Sequence, residues 1–274
     1  MTSVGVITII SGNGGSGCST TAVNLAYWMT QQWGDHGRFL LAEFDEQGDS
    51  SHLLDVPSSS NAMKYLTQPT SRLENLVQPS PIERLDVLSS NRSIAAAESM
   101  LSQLVNQAED KTEFRESYAE HLHDMILSYR GVVIDPAKTG EIRIAAIMAS
   151  DKLIMTTRMA NHNQKNTLAL VGLADKLMQE GASIHILPIA LEVAQAKADE
   201  ESIAILRQEA QKLAPERHVT VSSGIPKSVA VTDAANAGQP LLQYAPHDSE
   251  TYRGKRKASA SKAYHEFFLK TIGV

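Results

Sequence analysis

Cysteine is almost missing: Cys18 is the only one in 274 residues. An internal disulfide is therefore excluded, and a reducing compartment fits. No apolar run approaches the roughly 20 residues that a membrane-spanning helix requires. The opening stretch MTSVGVITIISGNGG has no positively charged segment and no cleavage-site pattern, so no secretory signal is expected and the expected location is cytoplasmic. No Pro/Gly-rich linker divides the chain and no internal repeat is visible, which predicts one domain over residues 1–274. A basic excess is lacking as well. The 25 Lys and Arg against 31 Asp and Glu leave a net charge of −6, a balance that argues against broad nucleic-acid affinity.

What is present suits a folded α/β protein. Hydrophobic residues make up 42% and charged residues 20%, enough apolar material for a substantial core. Short apolar runs recur near 4–10, 38–43, 84–88, 131–134, 152–156, 184–189 and 218–221. Most are continuous rather than alternating, as in buried parallel strands. Helix-like segments lie between them near 20–33, 93–129 (one helix or two), 164–180, 194–213 and 258–271. This alternation predicts a doubly wound, mostly parallel sheet with helices on both faces, the P-loop NTPase fold class. PSSSN at 57–61 and QPSP at 78–81 read as surface loops. Positive charge gathers once, at 252–262, in Arg253, Lys255, Arg256, Lys257 and Lys262 with no acid among them. That segment reads either as a solvated turn or as a contact to DNA, an anionic head group or a partner.

The chemistry-bearing signal follows the first strand. VGVITII runs into SGNGGSGCSTTAV, with Gly12, Gly14, Gly15 and Gly17 inside six residues. Glycines let a loop turn its N–H groups onto phosphate oxygens, and the helix that follows adds its N-terminal dipole. The strand–loop–helix context separates this from a tight turn with no ligand. Gly12-x4-Gly17-x-Ser19 has the spacing of a Walker A loop, but Cys18 stands where its phosphate-reaching lysine belongs. Ser19 keeps the hydroxyl that would meet Mg2+, with Thr20 beside it. A thiol at a helix N-terminus ionises more easily than usual, and a thiolate there would repel phosphate. Use of Cys18 as a nucleophile has no identifiable histidine to support it. The apolar run GVVI at 131–134 ends in Asp135-Pro136, an aspartate placed as in a Walker B strand.

From Asn13 to Thr20 the loop reads NGGSGCST, which resembles the KGGVGKTT loop of the ParA/MinD family of deviant-Walker ATPases. The resemblance continues in LLAEFDEQGDSS at 40–51, similar to the family's LLIDLDPQGNAT, in GVVIDP, similar to VVIDTPP, and in IPKSVAVTDAANAGQPLLQYAP at 225–246. It implies a nucleotide cradle of Gly12, Asn13, Gly14, Gly15, Ser16, Gly17, Cys18, Ser19 and Thr20. It also implies a magnesium site at Ser19 and Asp135, a water-positioning catalytic carboxylate at Asp45, and contacts near the base from Pro226 and Lys227. Glu43 takes the place of the family's first aspartate, and Gln47 and Gly48 are retained. Asn13 occupies the position of the signature lysine that reaches across the dimer to the partner's nucleotide, so both loop cations are gone. LPIALEVAQ at 187–195 departs from the Asn- or Asp-bearing loop usual there, which leaves the choice of base open.

The implied cofactors are ATP or ADP with Mg2+. The implied partners are a second copy of the chain, a cargo or adaptor protein and non-specific DNA. The last segment, KAYHEFFLKTIGV, reads as a packed helix, so a membrane would be reached only through a partner. Three functions remain open: a nucleotide-dependent dimerising switch with weak, absent or partner-dependent hydrolysis, a non-catalytic scaffold in a larger complex, or an active ATPase whose cations have moved.

Overall fold

The computed structural model describes residues 3–34, 37–68, 70–158, 161–179, 186–193, 197–215, 218–222, 224–226, 228–246 and 252–272. In chain order these form β1 (Gly5–Ser11), α1 (Cys18–Trp33), β2 (Phe39–Phe44), α2 (Asp49–Leu53), α3 (Asn61–Thr67), β3 (Gln78–Pro79), β4 (Leu85–Leu88), α4 (Ile94–Gln107), α5 (Lys111–His123), β5 (Gly131–Pro136) and α6 (Glu141–Met148). They continue as β6 (Lys152–Arg158), α7 (Asn161–Gln179), β7 (Ile186–Val193), α8 (Lys197–Leu213), β8 (His218–Val221), β9 (Ile225–Pro226), α9 (Val229–Asn236), α10 (Leu241–Tyr244) and α11 (Tyr252–Thr271).

The strands lie in the order β3-β4-β2-β5-β1-β6-β7-β8, with β9 beside the far end of β7. Every pairing is parallel except that of the edge strand β3 with β4. The central strands are continuous apolar runs because both faces are covered. Along β1, Val6 and Ile10 enter one core while Ile7 and Ile9 enter the other; Leu40 and Ala42 of β2 face the first, Phe39 and Leu41 the second. The alternation follows from the two-residue period of a strand. The first core is roofed by α4, α6, α7 and α8, through residues such as Leu101, Ile142, Val171 and Leu206. The second is roofed by α1 with α9, α10 and α11, where Trp28 packs at 5.9 Å from Phe268 and donates to His265 Nδ1 at 3.1 Å. The doubly wound sheet is thus as expected.

Several details differ from the sequence reading. The 93–129 block is two helices, parted where the Asp110 side chain accepts from the N–H groups of Thr112 and Glu113 and so starts α5. Gln78 and Pro79 pair with Val87 and Asp86 as an edge strand rather than standing as a free loop. The short helices α2, α3, α6, α9 and α10 have eight residues or fewer, too few turns for periodicity to register. The basic segment does not form a turn: it opens α11 at Tyr252. Among the described residues no helix is long and apolar enough to cross a membrane.

β1 sits between β5 and β6 in the sheet. From its end the chain turns into α1 over one core, whereas β5 leads into α6 over the other. Connections that diverge in this way leave a crevice at the carboxyl ends of the strands.

Candidate functional site

A cavity of about 490 Å3 occupies that crevice, within the size range of small-molecule sites. Its floor is the glycine loop. Gly15 (φ +70°) and Gly17 (φ +85°) hold left-handed backbone, and Gly17 caps α1, a conformation that disfavours any residue with a Cβ. Gly12 is required for a different reason. A Cβ there would lie 2.6 Å from Asn166 Cβ and 2.8 Å from the Asn166 carbonyl carbon on α7. The loop is pinned at its entry: Ser11 Oγ donates to the Asn13 carbonyl at 2.8 Å, and Asn166 Nδ2 donates to Asn13 Oδ1 at 2.7 Å. Asn13 therefore spends its side chain on its own chain's α7.

Cys18 heads α1 half-buried, its Sγ 3.3 Å from Thr156 Oγ1 on β6. Burial, reinforced by the charge of Asp135, pushes its thiol up to about 11. Desolvation dominates, and the group is neutral at physiological pH. Ser16, which no spacing rule singled out for its side chain, is 6% exposed and lines the cavity, and its hydroxyl has no partner among the described residues.

The acids come from two neighbouring strands. Asp135 is 2% exposed. It accepts from Ser50 Oγ at 2.6 Å and from the Ser19 hydroxyl, and burial pushes it up to about 6 despite these bonds. Asp45 lies half-buried on the cavity wall and accepts the Gln47 N–H at 2.9 Å. Asp49, at the start of α2, joins them, a residue given no role by the sequence reading. Glu43 stands apart from these acids. It lies opposite Asp135 inside β2, wholly buried and off the cavity wall. Its Oε1 accepts the Ser50 N–H at 2.6 Å, and its Oε2 accepts the Ser51 hydroxyl, so it anchors the start of α2. Burial raises it to about 7, with the charge of Asp135 adding to the effect.

Ile225, Pro226, Ser228, Val231, Thr232 and Tyr264 also line the cavity. Thr20 lines the cavity too. Lys227 lies outside the described residues. Arg253, Lys255, Arg256 and Lys257 fall on α11, but their side chains are likewise outside them.

Three cations that the sequence reading missed also border the cavity: Lys138, Arg143 and Arg158. Arg143 is 8% exposed on α6. Its guanidinium donates to the Ser11 carbonyl at 2.8 Å and to the Lys138 carbonyl, while Nε has no partner among the described residues. Glu98 of α4 fixes the start of α6 by accepting the N–H groups of Glu141 and Ile142 at 2.7 and 3.0 Å. The three cations are spread over residues 138–158, so no local spacing marked them. The only signal was Arg158 closing an apolar strand.

The donor set suits a phosphorylated ligand with a hard cation. Loop glycines, an orphaned buried hydroxyl and nearby guanidinium and ammonium groups match phosphate. The Ser19 hydroxyl and the Asp135 carboxylate are oxygen donors of the kind Mg2+ takes. No cluster of three or more His, Cys, Asp or Glu that could hold a metal exists among the described residues, so such a cation would need ligand oxygens to complete its shell.

The chain matches the family described as AAA domain over residues 4–186. It is 24% identical over 250 residues to the chromosome partitioning protein ParA of Myxococcus xanthus, covering 87% of this chain and 81% of that protein. In fold it is similar to a variant of Cyanothece McdA in its ATP complex, with a TM-score of 0.74 and 16% identity over 98% of this chain and 96% of that one. It is similar also to the septum site-determining protein MinD of Pyrococcus horikoshii complexed with Mg-ADP, with a TM-score of 0.66 and 17% identity over the same shares of the two chains. The chain belongs to this AAA domain family, and its similarity in sequence and fold is to ParA- and MinD-type proteins.

Proposed function

We propose that this ParA/MinD-like protein is a nucleotide-binding switch. It takes ATP or ADP with Mg2+ in the cavity above the glycine loop, pairs face to face with a second copy and positions DNA or a macromolecular complex. The observation that carries the reading is the buried Ser16 hydroxyl, without a partner among the described residues, set in a glycine loop between a buried strand and a helix N-terminus. The loop from Gly12 to Thr20 would hold the phosphates. Ser19 and Asp135 would hold the cation, whose chemistry is to neutralise phosphate charge. Asp45, on the same wall, would orient a water. The wall at Pro226 would receive the base. The ligands of the similar structures, ATP for McdA and Mg-ADP for MinD, agree in kind.

Hydrolysis is proposed to be weak or partner-dependent, because the two signature positions carry a neutral amide at Asn13 and a protonated thiol at Cys18. Loss of cations aimed at developing charge costs orders of magnitude in rate. The same two residues favour a second reading, a scaffold whose nucleotide is structural. Calorimetry with ATP, ADP and GTP in Mg2+, run beside a solution mass measurement, separates them. Binding with a nucleotide-dependent change from monomer to dimer supports the switch. Binding with unchanged mass supports the scaffold, and absence of binding overturns both. Arg253, Lys255, Arg256 and Lys257 are the proposed contact to DNA or an adaptor. Changing them to Glu should abolish DNA binding that weakens with salt.

A further inference from the structure

We infer that Lys138 and Arg158, braced by Arg143, supply from the neighbouring strands the positive charge that the glycine loop lacks, and so form the binding site for the terminal phosphates of a nucleoside triphosphate. The inference rests on the nucleotide reading above. It concerns which groups meet the phosphates, a role that falls on neither of the two signature lysine positions.

Position carries the argument. β5 and β6 flank β1 on either side. Arg158 is the last residue of β6, and Lys138 follows two residues after β5 ends. Both therefore rise beside the loop that leaves β1. A Cβ built on Gly14 would lie 3.8 Å from Lys138 Nζ, and one built on Gly15 would lie 3.6 Å from Arg158 Nη2. The two cations thus reach the turn of the loop itself, at the exposed glycines over which phosphate oxygens would sit. Among the described residues no carboxylate pairs with the Lys138 ammonium. Arg143 holds the Lys138 carbonyl and the Ser11 carbonyl together. It thereby ties the base of the Lys138 segment to the base of the loop and adds its own buried charge beneath.

A second, independent observation points to an anion here. Ser16 Oγ and Arg143 Nε are both buried, both belong to residues lining this cavity, and neither has a hydrogen-bond partner among the described residues. Buried donors are satisfied in nearly all folded proteins, so two orphans at one cavity mark a place for acceptor oxygens. The need for charge is physical as well. The chain carries −6 overall, and Asp45, Asp49 and Asp135 border the same cavity, so a polyphosphate would be repelled without cations at the loop. Arginine adds a planar fork that meets two phosphate oxygens at once.

The test is calorimetric titration of the full chain with ATP and with inorganic tripolyphosphate. The proteins are the wild type, Lys138→Ala, Arg158→Ala, the charge-retaining Lys138→Arg and Arg158→Lys, and Lys212→Ala as a control cation on α8. Lys138 and Arg158 are exposed, so their truncation leaves the core intact, and a thermal melt verifies this. Each alanine variant should weaken ATP and tripolyphosphate binding about 10- to 100-fold, the worth of a charged hydrogen bond. Adenosine affinity should stay unchanged, and the charge-retaining variants should recover most of the loss. Equal ATP affinity in wild type and both alanine variants overturns this inference while the nucleotide reading stands. A wild type that binds neither ATP nor tripolyphosphate overturns both. Binding of tripolyphosphate that depends on both cations, without ATP binding, supports the anion site and overturns the nucleotide reading.

Discussion

Replacing Glu43 by Gln should stabilise the protein in a pH-dependent way. Glu43 is wholly buried and is raised from its ordinary 4.5 to about 7. The unfolded chain ionises this carboxyl near 4.5, and the folded chain only near 7. Between those values the folded state holds the extra proton, so stability falls as pH rises through the window and levels off above it. The full loss corresponds to roughly 3 kcal/mol at about 1.4 kcal/mol per pH unit. Gln reproduces the protonated acid. Its oxygen can keep the Ser50 N–H, and its amide can donate to the Ser51 hydroxyl, which now donates to Glu43. Urea unfolding of wild type and variant at pH 5, 6, 7 and 8 is the assay. The variant should gain on the wild type by roughly 2–3 kcal/mol between pH 5 and 8, with most of the change below pH 7. A difference that does not vary with pH would refute the assignment of Glu43 as a neutral buried acid.

Gly12→Ala should lower stability by about 1–3 kcal/mol through overpacking, since its methyl would meet Asn166 of α7 well inside contact distance; a thermal melt checks this. Asp135→Asn should remove the Mg2+ dependence of ATP binding, so that EDTA, which weakens the wild type, leaves the variant unchanged in calorimetry. Cys18, held at about 11, should react with iodoacetamide at pH 8 roughly a hundredfold or more slower than an ordinary exposed cysteine. Its rate should still be climbing tenfold per pH unit at pH 9, and a plateau below pH 9 would contradict the neutral thiol.

The fold was legible because its determinants are local. Seven apolar runs marked strands, and helical stretches between them marked a doubly wound sheet. The loop was legible because its glycines answer to backbone conformation and close approach, as Gly15, Gly17 and Gly12 do. The electrostatics of the site were not. Whether Glu43 faces a ligand or the core depends on α2, a helix of five residues with no periodic signature. Whether Cys18 ionises depends on Thr156 and Asp135, more than a hundred residues away in the chain. Lys138, Arg143 and Arg158 meet at the loop only because β5 and β6 flank β1, and that order of strands is written in no single segment.

Asn13 carries one more consequence. Its side chain is committed to Asn166 of the same chain, at the position where the ParA/MinD resemblance implies a lysine reaching across a dimer. A pair of these chains would therefore have no arm by which one subunit gauges what fills the other. Any coupling between the two sites would then run through the pairing equilibrium itself, so nucleotide affinity should rise with protein concentration.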